Sequence, residues 1–73
     1  MKVLVIDAIA PEGLAFLRER GFQVDEVSSK LPRAELFGRL ADYEAIITRS
    51  STTVTPEFLG HARRLRILGR AGV

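Results

Sequence analysis

Lys2-Val3-Leu4-Val5-Ile6-Asp7 opens the chain, and its first five residues read as a β-strand. Val3, Val5 and Ile6 are β-branched, and the apolar run does not alternate with polar residues. That pattern suits a strand covered on both faces, as in parallel sheets flanked by helices.

The segments that follow keep to the same alternation of strand and helix. Asp7-Ala8-Ile9-Ala10 reads as a loop, and Pro11 stands at a first helical position with Glu12 behind it, where negative charge meets the positive end of the helix dipole. Ala10, Leu14 and Leu17 share one face of that helix, and Gly21 closes it in a left-handed conformation. Phe22 to Val27 alternates imperfectly, as a half-exposed edge strand does. Pro32 opens a second helix carrying Leu36, Phe37 and Leu40, and Tyr43 to Thr48 reads as a third strand. Thr55-Pro56-Glu57 is an N-cap with proline at the first helical position. The third helix is expected to bury Phe58, Leu59, Ala62 and Leu65. A fourth strand, Arg66 to Gly69, then leads into Arg70-Ala71-Gly72-Val73. The chain therefore spells β-α-β-α-β-α-β. Helical crossovers require parallel strands and right-handed connections. The expected fold class is α/β, a flavodoxin-like parallel sheet of order 2-1-3-4 that lacks a fifth strand.

With 73 residues the chain is one domain at most, and one with a thin margin of stability. Its 27% charged and 47% hydrophobic content places it in the soluble globular class, and without cysteine it has neither a disulfide framework nor a thiolate metal site. Its apolar runs fall far short of the roughly 20 residues that span a bilayer. Asp7 interrupts the opening run too early for a secretory signal, so the expected location is the cytoplasm. The net charge of +2 is unevenly spread: residues 1–48 hold six Lys/Arg and eight Asp/Glu, and residues 49–73 hold five Arg and one Glu. This basic third reads either as the solvated helix face Arg63-Arg64-Leu65-Arg66 or as a site for a small anion. Nucleic acid is disfavoured, because aromatic residues are not interleaved with the basic ones and no recognition-helix pattern is present.

Ligands of open parallel sheets bind beyond the carboxyl ends of the strands, where strand order reverses, here between the first and third strands. Neighbouring strands lie about 4.8 Å apart. Arg49 and Arg70 are therefore expected to leave the sheet side by side, without an acidic partner, as an anion-binding edge. Guanidinium groups match carboxylate and phosphate oxygens by paired hydrogen bonds, and the hydroxyls from Ser50 to Thr53 add neutral donors. The alternative is a surface arginine with Ser and Thr serving as caps. Asp7 is similar to a phosphoacceptor aspartate, but Arg49 occupies the place where that chemistry needs an acid. His61 is expected to face water near Glu57 rather than act as a base. Gly69-Arg70-Ala71-Gly72 does not complete G-x-G-x-x-G, and no helix follows it.

Three stretches together, Lys2 to Asp7, Thr48 to Thr55 and Leu65 to Val73, resemble the start of the D-2-hydroxyacid dehydrogenases, in particular the branch that acts on 3-phosphoglycerate. The resemblance runs the length of the chain. It implies an NAD-dependent oxidation of 3-phosphoglycerate to phosphohydroxypyruvate, the entry to serine biosynthesis. It also implies that residues 1–73 are the N-terminal part of a substrate-binding domain, with the NAD-binding domain absent. By the same resemblance, Arg49 and Ser50 contact substrate, Arg70 helps to form a cationic site for its phosphate, backbone near Gly72 approaches the carboxylate, and Val73 lies close to the nicotinamide. The family's dinucleotide fingerprint and catalytic arginine, glutamate and histidine have no counterpart in the chain. The expectation is therefore a fragment without catalytic machinery or bound cofactor.

Two other readings stay open. One is a structural α/β unit that self-associates through the bare, Ile- and Leu-rich fourth strand as a homo-oligomer. The other is a stand-alone regulatory module that binds anions.

Overall fold

The apolar opening run forms the second strand of a four-stranded sheet and is covered on both sides. In the computed structural model, which describes residues 1–7 and 9–71, the elements are β1 (Lys2–Ile6), α1 (Pro11–Glu19), β2 (Gln23–Val27), α2 (Arg33–Leu40), β3 (Ala45–Thr48), α3 (Pro56–His61) and β4 (Ile67–Arg70). Every strand pairing is parallel and the order is β2-β1-β3-β4, as the alternation of elements predicts.

The side-chain period of two divides the sheet into two faces. Leu4, Ile6 and Ile46 point to one face, where Leu36 and Leu40 of α2 and Phe58 of α3 pack with Tyr43 and Ala62. Val3, Val5, Val24 and Ala45 point to the other, against Leu14 of α1. One helix on one face and two on the other is what right-handed crossovers give for this strand order. β1 and β3, in the middle, supply the most deeply buried residues: Leu4, Ile6 and Ile46 are 0% exposed.

The local signals at helix ends hold. Gly21 has φ +84°, and its N–H donates to the Arg18 carbonyl. The Thr55 hydroxyl accepts from the Phe58 N–H at 3.1 Å, with Pro56 at the first helical position.

Four expectations are corrected. Ala10 is the exposed N-cap of α1, outside its buried face. α3 stops at His61 instead of running on to Leu65, because Ala62 takes φ −90° and ψ 67°. Arg63-Arg64-Leu65-Arg66 is therefore no helix face, and successive turns bring the Arg66 N–H to the Glu44 carbonyl at 2.7 Å, where the chain enters β4. Leu59 is 47% exposed, not buried. With only six residues, the helix aims Phe58 and Ala62, four positions apart, at the sheet, and Leu59 lies about 100° round the axis from Phe58. The fourth strand is also shifted by one residue, running from Ile67 to Arg70. Its edge is as open as expected, with Ile67 55% and Leu68 42% exposed. No helix is long and apolar enough to cross a membrane among the described residues.

Candidate functional site

The carboxyl ends of β1, β3 and β4 bring Asp7, the Arg49–Thr53 segment and Arg70 to one edge of the sheet. Thr48, 2% exposed, is the last residue of β3 and pairs in register with Arg70. Arg49 follows directly, while the Ala71 N–H donates to the Thr48 carbonyl at 2.8 Å. The two arginines are thus offset by one residue along neighbouring strands and do not stand in register. Both are exposed, as is Ser50.

A cleft of about 410 Å³ opens here, lined by Thr48, Ser50, Thr52, Thr53, Val54, Leu68, Gly69 and Arg70. Hydroxyls and one guanidinium form its polar part, and Val54 and Leu68 its apolar part. Such a lining suits a small anionic molecule with a short carbon skeleton. Ser50 and Arg70 therefore meet in one cleft. Gly72 and Val73, the remaining residues assigned to the site from the sequence, lie outside the described residues.

Arg49 is not the unopposed cation that the sequence suggests. Asp7, at the end of β1, is close enough for the two charges to interact, and Arg49 contributes to lowering the Asp7 pKa. Larger contributions come from hydrogen bonds, first from the Ser29 N–H and then from the Ser51 hydroxyl. Together they hold the Asp7 carboxyl down at about 2, against an ordinary 3.8. The Ser29 N–H donates to Asp7 Oδ1 at 2.8 Å, and the Ser51 hydroxyl donates to Oδ2. Asp7 also has φ +67°, a left-handed backbone in a non-glycine residue. That conformation costs on the order of 1 kcal/mol or more and persists where surrounding contacts over-determine it.

The sequence reading set Asp7 aside once phosphoacceptor chemistry was excluded and so missed this role. A signal was available: an acid at the end of a central strand, with serines in both loops that leave the same edge. His61 is exposed, as expected, but its ring stacks on Phe37 at 4.8 Å and it does not line the cleft. Among the described residues no cluster of His, Cys, Asp and Glu could hold a metal ion.

The family model described as D-isomer specific 2-hydroxyacid dehydrogenase, catalytic domain, matches residues 3–73. The chain is 44% identical over 73 residues to a D-3-phosphoglycerate dehydrogenase of Archaeoglobus fulgidus, covering 100% of this chain and 14% of that protein. It is 39% identical over 71 residues to the D-3-phosphoglycerate dehydrogenase of Homo sapiens, covering 97% of this chain and 13% of that protein. The chain thus spans about one seventh of the length of these relatives. A crystal structure of a protein from Thermus thermophilus superposes with a TM-score of 0.85 at 30% identity, over 100% of this chain and 24% of the other. An NAD+-bound 3-phosphoglycerate dehydrogenase of Entamoeba histolytica has the same fold, with a TM-score of 0.80 at 24% identity over 100% of this chain and 26% of the other.

Proposed function

The chain belongs to the D-isomer specific 2-hydroxyacid dehydrogenase family, and from that membership we propose that it forms the opening part of the substrate-binding domain of a D-3-phosphoglycerate dehydrogenase. The observation that carries this reading is the cleft at the carboxyl ends of β3 and β4, with Ser50 and Arg70 in its lining, combined with D-3-phosphoglycerate dehydrogenases as relatives along the whole chain. In this reading Arg70 pairs with the phosphate, and Arg49 and Ser50 receive carboxylate and hydroxyl oxygens. The family resemblance assigns Gly72 to the substrate carboxylate and Val73 to the cofactor.

In the whole enzyme NAD accepts the hydride from the substrate carbon. The described residues offer it no glycine-rich cradle between β1 and α1, since that link has no glycine. The part of these residues is to bind and orient substrate, and by themselves they are expected to leave it unoxidised.

Titrating 3-phosphoglycerate into the chain and following backbone amide shifts by NMR tests the reading. Shifts are expected at Arg49 to Thr53 and at Arg70, with a dissociation constant on the order of millimolar, since only a few charge-assisted bonds are available. Added salt weakens them. Shifts centred on Arg63 to Arg66, or none, would overturn it.

A second reading concerns assembly. Ile67 and Leu68 are half exposed on an edge strand, and such an edge pairs with further strands. A homo-oligomer joined at β4 is expected to show a concentration-dependent mass in sedimentation, and a constant monomer mass would exclude it.

A further inference from the structure

We propose that Asp7 is the positioning residue of this edge: its carboxylate ties the loops after β2 and β3 to the end of β1 and thereby fixes the Arg49–Thr53 segment for anion binding. The inference rests on the reading of the edge as a substrate site, and it adds a residue which that reading does not use.

Three parts of the chain meet at one side chain. Asp7 receives Ser29, 22 residues away, on one oxygen and Ser51, 44 residues away, on the other. Its own backbone is anchored, because the Asp7 N–H donates to the Val27 carbonyl at 2.7 Å and extends the β1–β2 pairing by one residue. The carboxylate is therefore held by the sheet while it holds the loops.

What it holds on the β3 side is a single turn. The Thr52 N–H donates to the Arg49 carbonyl at 3.1 Å, which closes a four-residue turn with Ser50 and Ser51 in the middle. Fixing Ser51 from outside fixes the orientation of that turn, and with it Arg49 and Ser50. A carboxylate suits the task because each of its two oxygens can accept a bond, whereas an asparagine offers one acceptor oxygen.

Charge adds to the argument. Asp7 and Arg49 are close enough for their charges to attract, which favours conformations that keep the guanidinium near Asp7. Such preorganisation reduces the ordering that binding would otherwise require.

The test uses the full chain as Asp7→Gly, Asp7→Asn and Ser51→Ala. Glycine retains the left-handed backbone and removes both side-chain bonds, so the fold itself is spared. Without ligand, Asp7→Gly is expected to speed amide exchange at Ser29 about 10-fold and to lower the backbone order parameters of residues 49–53 from about 0.85 toward 0.6. Ser51→Ala should loosen residues 49–53 yet leave Ser29 protected. Order parameters unchanged in both variants would overturn the proposal.

With 3-phosphoglycerate, Asp7→Gly should weaken binding about 10-fold, with Asp7→Asn in between; in the unfolding midpoint, relief of the left-handed backbone at residue 7 offsets the stability lost with the two side-chain bonds. A merely structural role would lower the midpoint and leave the affinity of the folded protein intact, and that result would also overturn the proposal. If the unsubstituted chain does not bind 3-phosphoglycerate, the functional reading fails, and the ligand-free order parameters still decide whether Asp7 positions the segment.

Discussion

The two ends of the sheet differ in what closes them. At the amino end the backbone closes on itself: the Gln23 N–H donates to the Met1 carbonyl, that of Glu44 to Lys2 and that of Arg66 to Glu44. Tyr43, 5% exposed, donates to Asp25 at 2.7 Å, and the Lys2 ammonium lies 5.1 Å from its ring centroid. At the carboxyl end, longer loops carry hydroxyls and arginines to the surface, and a side chain, Asp7, joins them. Backbone bonds and burial make the amino end a source of stability. At the carboxyl end, polar groups face solvent and can exchange water for a ligand. Substitutions at the amino end should therefore change stability, and those at the carboxyl end should change binding.

The largest effect expected is from Tyr43→Ala. Removing a buried aromatic costs about 3–5 kcal/mol, enough to unfold much of a domain this small, and urea unfolding followed by circular dichroism measures it. Tyr43→Phe isolates the hydroxyl and should cost about 1–2 kcal/mol by leaving Asp25 without its donor.

Alkaline pH probes the same group. Burial, followed by the bond to Asp25, raises the Tyr43 phenol from 10.0 to about 12. The unfolded chain then loses this proton before the folded one does. Stability is full below about pH 10 and declines as pH rises through about 12. In Tyr43→Phe this limb should vanish, and its survival would assign it to another group.

Thr55→Ala sharpens the boundary between the two ends, since the residue caps α3 just beyond the binding segment. A loss of about 1 kcal/mol is expected in thermal unfolding. The smallest effect is at acid pH. The depressed Asp7 pKa contributes stability that is present above its ordinary 3.8 and is lost as pH falls through about 2. Asp7→Asn should flatten that acid limb; an unchanged limb would show that Asp7 does not cause it.

Much of this was open to reading from residue patterns. The non-alternating run Lys2–Ile6 identified a central parallel strand, and three helical crossovers were consistent with the order 2-1-3-4, which the strand pairing establishes. Gly21 and Thr55 reported helix ends because their effects are local. What failed depended on neighbours distant in the chain. Leu59 has the apolarity of a core residue, yet α3 is too short to turn it inward. The end of α3 at Ala62 follows from the need to reach Glu44, a contact that no local pattern encodes. At the site, Arg49 and Arg70 were correctly brought to one edge, but their one-residue offset follows from the register of β3 with β4. The bonds of Asp7 span 22 and 44 residues, a separation at which a serine in a loop looks like any other.

The most direct test compares one substitution from each end in a single experiment, a 3-phosphoglycerate titration of Tyr43→Phe and Arg70→Ala alongside the unsubstituted chain. Arg70 is exposed, so its removal should change stability by no more than about 0.5 kcal/mol while weakening binding about 10-fold or more through loss of a charge-assisted contact. Tyr43→Phe should be the less stable protein and should bind within about 2-fold of the unsubstituted chain, because distant sites act independently. Unchanged affinity in Arg70→Ala, or an equal loss in both, would contradict the assignment of binding to the carboxyl end.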